Sequence, residues 1–123
     1  MLNEGKLIAF LATRDGARAR AFYEATLGLR VLSDDDFALA LDAGGTMLRV
    51  QKVPDFTPHP FTAAGWQVTD LDGVVARLSA AGIVFQRYPG LPQDGRGVWQ
   101  APGGARVAWF RDPDGNTLSL TAF

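Results

Sequence analysis

The chain has 123 residues, of which 47% are hydrophobic and 20% are charged, and this size and composition fit one globular domain with a core of its own. Twelve Lys and Arg residues oppose thirteen Asp and Glu residues, so no surplus of charge favours binding to nucleic acid or to an anionic membrane surface. The sequence contains no cysteine, which excludes disulfides, thiolate catalysis and cysteine-ligated metals.

The first apolar stretch ends at Arg14 and Asp15 and is too short for the hydrophobic region of a signal peptide. The other apolar stretches fall far below the length of a membrane span. We therefore expect a cytoplasmic protein that does not associate with membranes.

The first half of the chain predicts one strand, one helix and three further strands. Residues 6–13 are typical of a strand, and a helix then begins at an Asp15 N-cap and ends at Gly28, where a left-handed residue is needed. After Gly28 the hydrophobic pattern changes to period two, with Gly44 and Gly45 as a hairpin turn. The predicted strands are residues 29–33, 37–41 and 47–52.

The second half repeats this order after a linker, residues 54–61, whose three prolines disfavour helix. A strand ends near Asp70, which caps a helix with Leu71, Val75 and Leu78 on one face and a stop at Gly82. The strands predicted after this helix are residues 83–88, 98–101, 105–111 and 117–123, joined by glycine-rich turns.

Each half therefore predicts a βαβββ unit, with one additional short strand in the second half, in an α+β fold. We expect one domain made of module 1 (residues 1–53), the linker and module 2 (residues 62–123), with a curved, partly open antiparallel sheet around a cavity. A single unit covers only one face of its sheet, so neither module is expected to be stable alone. A ferredoxin-like arrangement is the alternative, and at least three strands after each helix argue against it.

Two segments resemble the vicinal oxygen chelate superfamily: residues 21–29, Ala-Phe-Tyr-Glu-Ala-Thr-Leu-Gly-Leu, and residues 110–116, Phe-Arg-Asp-Pro-Asp-Gly-Asn. This superfamily includes glyoxalase I, the extradiol dioxygenases, the fosfomycin resistance enzymes and the bleomycin resistance proteins. With the doubled βαβββ order, the resemblance covers nearly the whole chain and implies a glyoxalase-like fold. Both segments are structural, so they say little about activity.

In metal-dependent members of the superfamily, four strand residues, usually His, Gln or Glu, hold an ion on the concave face of the sheet. By the resemblance, these positions fall on Ile8, Arg49, Ala63 (within about one residue) and Ser119. None of the four is a usual ligand. The only histidine is His59, in the linker, and no set of donors can converge on a divalent ion. We therefore expect no metal and no cofactor.

If those positions mark the concave face, strand alternation gives that face an apolar lining with one guanidinium, two amides and a few hydroxyls. Such a lining suits binding better than chemistry, and we predict no catalytic residue. The predicted lining is Ile8, Phe10, Ala12, Met47, Arg49, Gln51, Ala63, Gly65, Gln67, Thr117, Ser119 and Thr121. The residues predicted to bind ligand are Phe10, Arg49, Gln51, Gln67, Trp99, Ser119 and Thr121.

Arg49 leaves two interpretations open, because a buried cation must be neutralised either by a partner such as Asp42 or by an anionic ligand. Trp66 and Trp109 are expected to face the core or a helix. Trp99 follows a loop, residues 89–97, that is long enough to form a rim where a flat ligand stacks. Arg96 in that loop is either a second contact for an anion or a solvated side chain. His59 is expected to be solvated.

The leading interpretation is a metal-free small-molecule-binding protein that resembles the bleomycin resistance proteins and sequesters a drug or a metabolite. Its ligand is expected to be anionic or aromatic, and a homodimer is expected because relatives in the superfamily commonly dimerise. The alternative is an enzyme of the same superfamily, a lyase, isomerase or dioxygenase, with shifted metal ligands or with Arg49 stabilising an enolate-like charge. A third possibility is an interaction module with a collapsed cavity.

Overall fold

A computed structural model describes all residues from Met1 to Phe123. The chain divides into two compact units, Met1–Pro58 (unit 1) and His59–Phe123 (unit 2). Both are α+β units with a four-stranded mixed sheet. None of the helices has the length and apolar character that a membrane crossing requires.

Unit 1 has the predicted order of elements. After a 3₁₀ turn at Leu2–Glu4, it contains β1 (Ile8–Thr13), α1 (Gly16–Arg20), a π-helical segment (Ala21–Thr26), β2 (Arg30–Asp34), β3 (Ala38–Ala43) and β4 (Thr46–Lys52). The strand order in the sheet is β1-β4-β3-β2. The antiparallel pairing predicted for the strands after the helix is confirmed for β2 to β4, whereas β1 joins β4 in parallel.

The helical part of unit 1 begins as predicted, with the Asp15 carboxylate accepting the backbone N–H of Arg18 at 3.1 Å. It does not continue as one α-helix to Gly28. From Ala21 the turns widen, and the N–H of Leu27 donates to the carbonyl of Phe22, five residues earlier. Gly28 has φ +76°, the left-handed value expected at the stop.

Unit 2 contains β5 (Thr62–Gln67), α2 (Leu71–Ala80), β6 (Trp99–Gln100), β7 (Arg106–Arg111) and β8 (Thr117–Ala122). Its strand order is β5-β8-β7-β6, again with the first and last strands in parallel. The Asp70 carboxylate accepts the N–H of Gly73 at 3.0 Å, as predicted for the cap of α2. The buried face of α2 carries Leu71, Val75 and Leu78.

The strand predicted over residues 83–88 is wrong, because this segment has no strand partner. Its only backbone bond to the sheet runs from the N–H of Gln86 to the carbonyl of Trp109. The Gln93 side chain supplies the missing bonds: its amide donates to the carbonyls of Gln86 and Gly97, and its oxygen accepts the N–H of Tyr88, all at 2.8 Å. A side chain thus replaces a neighbouring strand.

The segment of residues 112–116 forms the turn that its sequence predicts, and this turn is buried. Asp112, Asp114 and Asn116 are each no more than 6% exposed. The Asp112 carboxylate accepts the N–H groups of Asp114 and Asn116 at 3.0 and 2.9 Å and the Asn116 side-chain amide at 2.8 Å. This network joins β7 to β8 and fixes their register.

Candidate ligand-binding faces

Each sheet has one buried face and one that is more open. In unit 1 the buried face carries Leu11, Leu39, Leu41, Leu48 and Val50. Because neighbouring residues of a strand point to opposite sides, the residues between them lie on the other face. In unit 1 we call this other face the arginine face, made of Ile8, Phe10, Met47, Arg49 and Gln51. In unit 2 we call it the tryptophan face, made of Gln67, Trp99, Trp109, Arg111, Ser119 and Thr121.

The arginine face brings three of the predicted ligand-binding residues together. Phe10 lies directly opposite Arg49 in the parallel pair β1–β4, and Gln51 follows two residues later on β4. Phe10 is 54% exposed, whereas Arg49 is half-buried. An aromatic ring and a guanidinium therefore stand side by side on one surface.

Arg49 makes no hydrogen bond and no ion pair. Asp42, the partner considered from the sequence, is instead bound by Arg30 at 3.2 Å and by the N–H of Gly45 at 2.8 Å. The hydrogen bond from the N–H of Gly45 lowers the pKa of the Asp42 carboxyl most, and the hydrogen bond from Arg30 lowers it further. The pKa of Asp35 is lowered mainly by the N–H groups of Ala38 and Phe37, and the charge of Arg49 contributes less.

The tryptophan face contains the other four predicted residues. Gln67 lies opposite Thr121, and Ser119 lies between Gly65 and Trp109. Trp99 lies opposite Val107 at the far edge of the sheet. Gln67, Ser119 and Thr121 thus form a polar floor, and Trp99 stands beside it.

The expectation that Trp109 faces the core or a helix is wrong, because this side chain is only partly buried and lies on the open face of its sheet. Trp109 is opposite Ser119, and its ring stacks on Trp99 with centroids 6.0 Å apart and meets Tyr88 edge-on at 5.3 Å. Trp66 is opposite the buried Leu120, on the helix side, as expected. Trp109 lies between Ala108 and Phe110, which are buried on the helix side of β7. This alternation is the sequence signal that puts Trp109 on the opposite side of the sheet from Trp66.

The loop before Trp99 is held by ion pairs. Arg96 bonds to Asp72 at 2.7 Å and to Asp94 at 2.9 Å, and Arg106 reaches Asp72 at 2.6 Å. Two hydrogen bonds, the larger contribution from Arg106 and the smaller from Arg96, hold the pKa of the Asp72 carboxyl well below its usual range. Arg96 is therefore neither a free anion contact nor merely solvated.

A shallow groove of about 400 Å³ beside the loop is lined by Pro92, Gln93, Asp94, Val98, Gln100 and Arg106.

His59 is exposed, and its ring stacks on that of Phe61 with centroids 4.9 Å apart. It lies on neither face as we define them. A proton-transfer role for His59 therefore has no support from its surroundings.

The side chains do not fit the divalent ion that the fold family often holds. Ile8, Arg49 and Ser119 lie on the two open faces, Ala63 sits where the β5–β8 register shifts, and none of the four offers an imidazole or a carboxylate. Nowhere do three His, Asp or Glu side chains converge. We therefore assign no step to a metal.

Comparison with known proteins identifies the family. Residues 7–120 match the model of the Glyoxalase/Bleomycin resistance protein/Dioxygenase superfamily. No protein of curated function matches the sequence. The structure is similar to a member of this superfamily from Sphaerobacter thermophilus, with 22% identity over 100% of both chains and a TM-score of 0.77.

Two resistance proteins are also structurally similar. The bleomycin resistance determinant encoded on transposon Tn5 is 26% identical over 95% of this chain and 96% of its own, with a TM-score of 0.75. The fosfomycin resistance protein FosX from Listeria monocytogenes is 15% identical over 98% and 93%, with a TM-score of 0.75. The family match, which spans most of the sequence, and the shared fold lead to one conclusion: the chain belongs to the glyoxalase/bleomycin resistance protein/dioxygenase superfamily.

Proposed function

We propose that this protein binds a small anionic molecule with an aromatic part, without a metal, and sequesters it in the cytoplasm as a homodimer. The observation that carries the proposal is the unpaired, half-buried guanidinium of Arg49 beside the exposed ring of Phe10.

The charge of Arg49 is the main argument for an anionic ligand. A partly desolvated cation without a partner loses hydration and gains nothing in exchange. The planar guanidinium matches a carboxylate or a phosphate with two parallel hydrogen bonds. Asp42 is occupied by Arg30, and the Asp35 carboxylate, whose charge Arg49 feels, is hydrogen-bonded to the N–H groups of Phe37 and Ala38 and not to Arg49. The acceptor that we propose for Arg49 therefore comes from a ligand.

The neighbours of Arg49 favour binding over conversion. Phe10, Ile8 and Met47 provide an apolar surface, and Gln51 adds one amide. None of these groups takes up or releases a proton near neutral pH, so the arginine face contains no general base or nucleophile. The similarity to a bleomycin resistance determinant supports sequestration, but a guanidinium disfavours a cationic drug such as bleomycin.

The test is calorimetric titration with a panel of aromatic carboxylates, each compared with its uncharged amide. We expect the carboxylates to bind more tightly, and Arg49→Gln to weaken them about tenfold or more, the size of one charge-assisted contact. Arg77→Gln is the control, because it removes an exposed charge from α2 and leaves Asp42 paired with Arg30. Equal affinities for the wild type and Arg49→Gln, or no preference for carboxylates, would contradict the proposal.

A further inference from the structure

The groove beside the loop of residues 89–97 lies on the helix side of the sheet of unit 2. Trp99 stacks on Trp109 on the tryptophan face, so its neighbours Val98 and Gln100 point to the opposite side of β6. Arg106, which is paired with Gln100, points the same way, because its guanidinium reaches Asp72 in the first turn of α2. We call this groove the β6 groove, lined by Pro92, Gln93, Asp94, Val98, Gln100 and Arg106.

The loop wall of the β6 groove is fixed by its own hydrogen bonds. Gln93 holds the loop through three hydrogen bonds of 2.8 Å. The Asp94 carboxylate accepts the N–H groups of Arg96 and Val98 at 2.9 and 3.0 Å, and the Asp94 N–H donates to the Val98 carbonyl at 2.8 Å. A ligand therefore does not have to order the loop. The volume of about 400 Å³ lies in the range of small-molecule sites.

Two opposite charges stand apart along the β6 groove. Asp94 is hydrogen-bonded to Val98. Arg106 is paired with Gln100, which lies about 7 Å beyond Val98 along the extended strand. No ion pair joins Asp94 to Arg106. A ligand with groups of opposite charge can therefore bridge them.

These side chains keep hydrogen-bonding capacity for a ligand. The terminal nitrogens of Arg106 bond to Asp72 at 3.2 and 2.6 Å, which leaves the Nε–H free. Oδ2 of Asp94 accepts one hydrogen bond, from Arg96 at 2.9 Å, and a carboxylate oxygen can accept two. The Gln100 side chain is exposed and makes no hydrogen bond, so its amide adds two donors and one acceptor.

The charges around the β6 groove favour a ligand that carries both signs. The ion pairs there contain two guanidiniums, Arg96 and Arg106, and two carboxylates, Asp72 and Asp94. A ligand with a single charge is attracted at one end of the groove and repelled at the other. A zwitterion in one orientation is attracted at both ends.

We infer that the β6 groove binds a free α-amino acid with an apolar side chain. The ammonium group donates to Asp94, and the carboxylate accepts from Arg106 and the Gln100 amide. The side chain lies against Pro92 and Val98, the apolar part of the lining. The nitrogen and the carboxyl carbon of an α-amino acid are about 2.5 Å apart, and a hydrogen bond of about 2.8 Å at each end gives a span of about 8 Å, close to the spacing of the two charges.

The test is two-dimensional proton–nitrogen NMR of the full chain with L-leucine as the probe. Its singly charged controls are 4-methylpentanoate, which lacks the ammonium group, and 3-methylbutylamine, which lacks the carboxylate. We expect L-leucine to give saturating shifts of the Val98 backbone signal and the Gln100 side-chain signal. Each control is expected to bind about tenfold more weakly, because it forms one charge-assisted contact fewer.

Two variants test the two ends of the β6 groove. Gln100→Glu places beside Arg106 a carboxylate that repels that of L-leucine, and should weaken binding about tenfold or more. This variant keeps the fold, because Gln100 is exposed and unbonded. Asp94→Asn keeps an oxygen for the loop N–H groups and removes the charge that holds the ammonium group, with a loss of the same size. Asp36→Asn, which removes an exposed carboxylate of unit 1, is the matched control and should leave binding unchanged.

Three results would overturn the inference: no saturating shift of the Val98 and Gln100 signals, equal affinities for L-leucine and a singly charged control, or L-leucine binding that survives Gln100→Glu. The inference goes beyond the proposed function and does not depend on it, since the β6 groove shares no residue with the arginine face. Failure of the proposed function is seen separately, as calorimetric affinities for aromatic carboxylates that Arg49→Gln leaves unchanged.

Discussion

On the tryptophan face, the Ser119 hydroxyl occupies the place that a side chain at position 65 would need. A Cβ at position 65 would lie 2.3 Å from the Ser119 Oγ, far inside van der Waals contact, and 3.3 Å from the Ser119 carbonyl oxygen. Ser119 is only 8% exposed, so its hydroxyl has little room to turn away. The absence of a side chain at Gly65 therefore allows a hydroxyl on the neighbouring strand.

We predict that Gly65→Ala lowers the free energy of unfolding by about 1 kcal/mol, the low end of the cost of overpacking. Ser119→Ala in the same background should restore most of that loss, because it removes the colliding oxygen. Urea denaturation of the two single variants and the double variant measures the coupling. Gly103→Ala is the control, since a Cβ at that position would have nothing within 4 Å, and additive effects of the two substitutions would refute the clash.

Single residues show where the sequence was informative and where it was not. The two-residue alternation of β4 and β8 predicted the sides of Arg49, Gln51, Ser119 and Thr121. It did not settle what pairs with Arg49, because the choice of Asp42 between Arg30 and Arg49 depends on the cross-strand register. Aromatic residues in strands are usually packed in the core, and this general preference gives the wrong side for Trp109. Its alternation with the buried Ala108 and Phe110, together with its pairing with Ser119, puts it on the open side.

At the scale of elements, the loop of residues 89–97 is fastened to α2 and β7 through one carboxylate. Arg96 and Arg106 both bond to Asp72, at 2.7 and 2.6 Å. These two hydrogen bonds depress the pKa of Asp72 in the folded chain. Because the folded pKa lies below the unfolded value, this contact stabilises the fold above the unfolded pKa, about 3.9 for Asp. The stabilisation is lost as the pH falls further, through the folded pKa.

We predict that the stability of the wild type falls more steeply below about pH 4 than that of Asp72→Asn, which has no group to titrate there. Urea denaturation at a series of acidic pH values measures the two slopes. Asp36→Asn, which removes an exposed carboxylate without an ion pair, should keep the wild-type slope. Parallel profiles for the wild type and Asp72→Asn would show that the contact adds nothing to stability.

The element order was predictable because caps and stops are local signals. Asp15, Asp70, Gly28 and Gly82 mark helix ends by chemistry that acts within a few residues. The strand predicted over residues 83–88 failed because a strand also needs a partner. Here the partner is the Gln93 side chain, which no hydrophobic period reveals. The π-helical turns after Arg20 are likewise outside the reach of a 3.6-residue pattern.

For the whole molecule, the repeated βαβββ unit was predictable from the sequence, but the chemical difference between the open faces of its two copies was not. Both copies have the same strand order and the same parallel closing pair. Yet unit 1 presents a guanidinium beside a phenyl ring, whereas unit 2 presents two indoles, hydroxyls and an amide. The repeat fixes the positions of the side chains, and the residues at matching positions decide which chemical groups each face presents.

The apolar side chains along β1 bear on the oligomeric state. β1 is an edge strand of its sheet, and Leu7, Ile8 and Phe10 are 76%, 42% and 54% exposed. Monomeric proteins rarely leave such side chains uncovered on an open sheet edge, because the edge also presents unpaired backbone groups. A second copy of the chain bound at this edge would cover the apolar side chains and pair the free backbone groups.

We therefore predict a homodimer at twice the 13.2 kDa chain mass, measured by light scattering after size exclusion at micromolar concentration. Ile8→Asp should shift the protein to a monomer, because a buried unpaired carboxylate at the edge strand is strongly unfavourable. Val84→Asp is the control, since Val84 is 76% exposed but lies in the irregular segment after α2 rather than on a sheet edge. A monomeric wild type would contradict the homodimer, and a dimer unaffected by Ile8→Asp would place the contact elsewhere than on the edge of β1.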